Sequence, residues 1–152
     1  MTDTPAEPTH RIVVGFDASP SSVAALEWAA GQAERTGSTL EILTTWEWPD
    51  SIGWALPFPS DYDPALDGKK LLDEGVATVH QGHPDVVVHP VLAEGHAAPV
   101  LVEASHGADL LVLGSRGRGG FASKVLGSVS DHCVRHAHCP VFLLRHAPEH
   151  TS

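Results

Sequence analysis

The stretch GSRGRGGFASKVLGSVS, residues 114–130, gathers glycine, hydroxyl groups and positive charge in a chain whose formal net charge is -10. Between Leu110 and Arg145 the cations Arg116, Arg118, Lys124, Arg135 and Arg145 meet a single carboxylate, Asp131. A basic island on an acidic chain suits a small anionic ligand, although a ligand-free exposed loop would carry the same charge. The residue types narrow the choice. Gly114 and Gly117 lack a Cβ, so the backbone there can approach a ligand closely and take positive φ. Ser128 and Ser130 stand where a helix should start, so their hydroxyls join free backbone amides and the positive end of a helix dipole. Such a place holds phosphate with few side-chain cations. Asp17, in VVGFDAS, would repel phosphate. Its carboxylate suits a base or ribose that donates hydrogen bonds, or a magnesium ion. A nucleotide accounts for both ends.

Two familiar phosphate motifs do not apply. The P-loop order G-x-x-x-x-G-K-[ST] fails because Ser123 precedes Lys124. Gly117, Gly119 and Ala122 loosely match a dinucleotide fingerprint, but that motif opens a first βαβ unit and needs an acid at the end of the following strand. PVFLLRH supplies none.

The elements that must position these residues follow from hydrophobic periodicity. RIVVGF, LEILTTW, DVVVHPVLA, DLLVLGS and PVFLLR are short runs rich in Val, Ile and Leu, the pattern of strands covered on both faces. In SPSSVAALEWAAGQAERTG, Val23, Leu26, Ala30 and Ala33 share a helical face; Ser19 is placed to cap, Pro20 suits the first turn and Gly37 the stop. A second helix follows Pro64 and carries Leu72, Val76 and Val79, with Gly68 and Gly75 weakening the pattern. A third turns Val100, Leu101 and Ala104 inward. A fourth begins at Ser128, with Asp131 three residues on as the partner in a capping box. Strict alternation of strand and helix implies a single-domain α/β fold: an open twisted parallel sheet with helices on both faces, Rossmann-like in its nucleotide-binding plan. In such sheets ligands collect outside the carboxyl ends of the strands, where the strand order reverses. Asp17, Thr45 and Gly114 all fall at strand ends, so they can line one crevice.

Composition agrees with this reading. At 152 residues, 42% of them hydrophobic, the chain can bury one ordinary core. Residues 10–146 read as that domain, residues 1–9 as a disordered N-terminal tail and 147–152 as a C-terminal tail. No apolar run reaches membrane length and MTDTPAEPTH lacks the parts of a signal peptide, so a cytoplasmic location is expected, with no membrane partner. The two cysteines, Cys133 and Cys139, fit reduced thiols there. Acidic balance argues against a nucleic-acid partner.

Gly114-x-x-Gly117, nine residues, then Gly127-Ser128 resembles the nucleotide-binding signature of the universal stress protein family, in its ATP-binding branch. RIVVGFDASPSSVAALEWA resembles that family's first strand and helix, and SDHCVRHAHCPVFLLR its last helix and strand. The resemblance spans roughly residues 10 to 146. It implies a five-stranded parallel sheet of order 3-2-1-4-5 and a homodimer. It implies that Asp17 and Thr45 lie near adenine and ribose, Gly114 and Gly117 near ribose and phosphates, and Gly127, Ser128, Val129 and Ser130 around the phosphates. Gly15, beside Asp17, and Arg116 complete the expected site. Thr45 departs from the small apolar residue common at its position. The implied ligand is ATP, with magnesium or without, or another adenine nucleotide such as AMP or cyclic AMP. The implied role is regulation of a protein partner, with at most slow hydrolysis, and no catalytic base is evident in the sequence. A nucleotide-hydrolysing or nucleotidyl-transfer enzyme, or a nucleotide-free interaction module, are the alternatives on the same fold.

Three other features bear on function. DHCVRHAHC sets His132, Cys133, His136, His138 and Cys139 close together, but their spacing fits no common zinc pattern and Cys133 has the spacing of a buried helical residue. A structural role is favoured over a metal site. WEWPDSIGWALPFPSDYDP, with Trp46, Trp48, Trp54, Phe58 and Tyr62, reads as a long loop that is a lid over the crevice, a partner site, or a cover for its own aromatics. The last strand is an apolar edge, so a dimer through Val141, Phe142, Leu143 and Leu144 is expected.

Overall fold

The computed structural model describes residues 10–48, 61–116 and 126–145. Strands β1 (Arg11–Gly15), β2 (Thr39–Trp46), β3 (Val88–Glu94), β4 (Leu110–Gly114) and β5 (Val141–Leu144) alternate with helices α1 (Pro20–Thr36), α2 (Pro64–Gly82), α3 (Ala97–Ala104) and α4 (Ser128–His136). All strand pairs are parallel and their order is β3-β2-β1-β4-β5, as expected. The chain builds outward from β1 to β3, then returns to add β4 on the other side of β1. The connections after β1 and β4 therefore diverge, leaving a crevice at their carboxyl ends.

Successive side chains on a strand point to opposite faces, so each central strand feeds two cores. On one face Ile12, Val14, Leu40, Ile42 and Val112 pack against Leu26, Ala29 and Ala30 of α1 and Leu72 and Val79 of α2. On the other, Val13, Leu43, Leu111 and Leu113 pack against Leu101 of α3 and Cys133 of α4. Cys133 is fully buried, and burial pushes its thiol up to about 11, which keeps it protonated and unreactive at neutral pH.

The sequence signs for α1 hold. Ser19 Oγ accepts from Ser22 N at 3.3 Å, Pro20 takes the first helical position, and Gly37 ends the helix in the left-handed region at φ 69°. Within α2, Gly68 and Gly75 have a packing reason. A Cβ on Gly75 would lie 3.1 Å from ring carbons of Phe16, and one on Gly68 would lie 3.0 Å from Leu92 Cδ1. Helix propensity, about 1 kcal/mol for each glycine, yields there to close helix–sheet approach. β3 starts later than its apolar run suggests, because Val86 N bonds back to His83 O at 3.1 Å in a turn that buries Val86 ahead of the strand.

The two sheet edges differ. β3 carries Pro90, which has no N–H to offer another strand, whereas β5 consists of Val, Phe, Leu and Leu with no such protection.

Candidate functional site

β1 turns sharply into α1 through Asp17 and Ala18. Asp17 Oδ1 accepts from Ser19 N at 2.9 Å, and Ala18 takes φ 65°, alone among the described non-glycine residues in the left-handed region. An L side chain there costs roughly 1–2 kcal/mol. Ala18→Gly should remove that strain, and the freer unfolded chain should cancel part of the gain, leaving about 0.5–1 kcal/mol of added stability. Thermal unfolding checks this; a variant less stable than wild type would mean Ala18 is not strained.

The same turn opens one side of a cleft between the two halves of the sheet. Its floor is apolar, from Leu43, Leu101 and Leu113; the partly exposed Asp17, Thr45 and Arg116 lie at its rim, and the buried Ser19, Ser22 and Ser130 in its walls. An apolar interior with a few convergent polar groups is the usual form of a small-molecule site. The cleft has a volume of about 500 Å³, counting the solvent at its open mouth. Gly15 lies on the floor: a Cβ there would stand 2.9 Å from Leu113 Cδ2 and 3.3 Å from both Leu101 methyls. Thr44 Oγ1 donates to Phe16 O at 2.9 Å, tying the ends of β2 and β1 together, and strand alternation then turns Thr45 into the cleft.

Gly114 sits at the end of β4, as expected, but for a different reason. It is absent from the described glycines with positive φ, which are Gly37, Gly95 and Gly107. A Cβ on it would lie 2.6 Å from the backbone carbonyl carbon of Ser21 and closer still to Ser21 Oγ. The close approach that requires glycine is to the first turn of α1, whose Ser21 hydroxyl donates to Arg116 O.

The start of α4 is also built differently from the sequence reading. The N-cap is Gly127, with no side-chain hydrogen bond, and no capping box forms. Asp131 instead pairs with Arg135, Oδ2 to Nε at 3.1 Å, because residues four apart meet on one helix face. Asp131 N bonds back to Gly127 O at 2.9 Å, so the amides of Ser128, Val129 and Ser130 have no acceptor within the helix. Ser130 is buried and its hydroxyl donates to Gly114 O at 2.7 Å, while Gly127 N donates to Ser115 O at 2.7 Å. These bonds fix the first turn of α4 against the end of β4, with Val129 and Ser130 on the cleft wall.

A second helix start, which the sequence reading did not single out, reaches the same place. α3 begins after His96 with no side-chain cap, and its first residue, Ala97, lines the cleft. Gly95 N donates to Trp46 O at 2.8 Å, and His96 Nδ1 lies 3.0 Å from Glu47 Oε2, so this turn is tied to the end of β2. The rule that helices in a parallel sheet start where strands end would have found it.

Of the expected site residues, Gly15, Asp17, Thr45, Gly114, Arg116, Val129 and Ser130 line the cleft, and Gly127 and Ser128 begin the adjacent helix turn. Gly117, Arg118 and Lys124 lie outside the described residues, as do Trp54 and Phe58. Trp48 stacks edge-on to Trp46, centroids 6.3 Å apart, and at a tilt to Tyr62 at 6.0 Å. Among the described residues the cleft lining includes Thr45 but neither Trp46 nor Trp48.

The family model described as "Universal stress protein family" matches residues 8–145. The Mycobacterium tuberculosis H37Rv protein named Universal stress protein Rv1996 is 38% identical over 149 residues, 93% of this chain and 46% of its own length. The chain spans about half the length of the curated relatives it matches. A universal stress protein solved in complex with cAMP is 25% identical, with a TM-score of 0.67 over 93% of this chain and 100% of the other. A family protein from Arabidopsis thaliana, solved with AMP bound, shares the fold at 23% identity and a TM-score of 0.66, covering 91% of this chain and 92% of its own. No helix among the described residues is long and apolar enough to cross a membrane.

Proposed function

The chain belongs to the universal stress protein family, and from that premise we propose that it binds an adenine nucleotide, ATP foremost, and uses occupancy of the cleft to regulate a protein partner in the cytoplasm. The observation that carries this reading is the convergence of two uncapped helix starts, α3 and α4, on one cleft that also holds Arg116 and an apolar floor. Helix starts favour anions through free amides and the helix dipole, and the floor offers a dry surface to a base. The structure solved with cAMP, 25% identical to this chain, supports an adenine ligand. Asp17 would contact base or ribose, or hold magnesium with the phosphates. The residues fit a magnesium-bound nucleotide in donor chemistry: one carboxylate on the rim, one guanidinium and the first-turn amides of α4.

Mass spectrometry of small molecules released from the purified protein, followed by titration with ATP, AMP and cyclic AMP, tests the proposal. An adenine nucleotide should be recovered or bind with saturation. Absence of any titratable nucleotide would leave only the interaction module. Multiple-turnover release of ADP or AMP would favour an enzyme over a nucleotide-gated regulator.

The same proposal includes a homodimer through β5. The carbonyls of Pro140 and Leu144 accept from Leu111 N of β4 and from Ser115 N just beyond it, so by alternation the polar groups of Val141 and Leu143 point to the open edge. Leu143→Pro, which removes a donor on that side, should shift the protein from dimer to monomer in sedimentation at micromolar concentration. A monomeric wild type would count against the interface.

A further inference from the structure

The histidines and cysteines of DHCVRHAHC are not one cluster in space. Cys133 is fully buried, and Cys139 packs against the same core. His138 stacks on His106 across two turns, centroids 3.7 Å apart and planes 19° from parallel, so these rings present faces rather than lone pairs to each other. His132 and His136 differ from all of these. They stand four residues apart on the exposed face of α4, with centroids 4.5 Å apart and planes tilted by 46°. The five residues together match no common zinc pattern, but the pair alone does: residues at i and i+4 share a helix face, and that spacing lets two imidazoles bind one ion in zinc-binding helices.

We infer that His132 and His136 form a two-imidazole site for a late first-row divalent ion such as Zn²⁺, Ni²⁺ or Cu²⁺, with water completing the coordination. Metal–imidazole bonds of about 2.0–2.1 Å require ring nitrogens roughly 3 Å apart, which exposed rings at this separation reach by turning about their own side-chain bonds. Imidazole suits these ions, whereas magnesium and calcium prefer oxygen. The neighbouring cation is held aside, because Arg135 Nε lies 3.1 Å from Asp131 Oδ2. Among the described residues no group of three His, Cys, Asp or Glu could hold a metal, so this is a water-completed, exchangeable site rather than a closed structural one. Its effect falls on α4 itself. At nine residues that helix is short enough to be marginal alone, and an ion bridging one turn holds it helical.

Calorimetric titration of the full chain with Zn²⁺ alone, together with thermal unfolding with and without the ion, tests the site. The wild type should bind about one equivalent at these residues and melt at a higher temperature with Zn²⁺ present. His132→Gln and His136→Gln, both exposed changes, should each weaken binding at least tenfold and abolish the thermal shift, while His138→Gln leaves both unchanged. Wild-type binding in either α4 variant, equal loss in His138→Gln, or no Zn²⁺-dependent thermal shift in the wild type would overturn the inference.

Discussion

Ser128→Pro should leave the fold intact and weaken ATP binding by about 10- to 100-fold. Ser128 is the first helical residue of α4, the one position where proline's missing N–H removes no helix hydrogen bond and its fixed φ suits the helix. The preceding Gly127, at φ -72° and ψ 165°, already has the extended backbone that a following proline demands. The substitution therefore deletes one first-turn amide and little else. A hydrogen bond from that amide to a charged phosphate contributes about 1.5–3 kcal/mol, which corresponds to roughly one to two factors of ten in affinity. Ser128→Ala keeps the amide and removes only an exposed hydroxyl, so comparing the two in one titration isolates the backbone contribution. Wild-type affinity in the proline variant would show that the amides of α4 do not hold the ligand. Equal losses in both variants would move the contact to the hydroxyl.

Gly114→Ala should destabilise the protein by about 2–3 kcal/mol, lowering the melting temperature by roughly 5–10 °C. The added Cβ would meet the carbonyl carbon of Ser21 at 2.6 Å, and a backbone atom cannot swing away as a side-chain end can. Either α1 shifts off the end of β4, or β4 shifts off β1. Both movements disturb the bonds from Ser21 to Arg116 and from Ser130 to Gly114, so ligand affinity should fall along with stability. Replacing Ser21 with alanine as well should give back little, because the backbone contact persists. Urea unfolding of the single and double variants measures this. A single variant within about 0.5 kcal/mol of wild type, the scatter of an ordinary surface substitution, would mean the approach is not as tight as the geometry indicates.

These two sites show how far the sequence could be read. Ser128 is legible as a helix start because a glycine and hydroxyls precede an apolar-periodic segment. Its true N-cap, Gly127, is not, since the pattern of a hydroxyl followed by Asp131 fits a capping box equally well. What decides is the position of Arg135, four residues beyond Asp131, and the seating of Gly127 against Ser115. Gly114 is legible as a special glycine. Whether a ligand or a helix fills the space it leaves depends on where α1 lies, and no local pattern states that. The resemblance to the universal stress proteins supplied the strand order, which periodicity alone could not give.

By itself the sequence determined the alternation of elements, the caps of α1, the sheet's two buried faces and the strand ends that carry Asp17, Thr45 and Gly114. These depend on interactions within a few residues, where spacing and residue type suffice. Only the tertiary structure decided that α3 brings a second uncapped helix start to the cleft, that Gly68 and Gly75 serve close packing, and that Ser130 spends its hydroxyl hydrogen on Gly114. It also separated His132 and His136 from the cysteines beside them. Each of those outcomes depends on which elements meet across the sheet, and that is set by burying two cores at once rather than by any single segment.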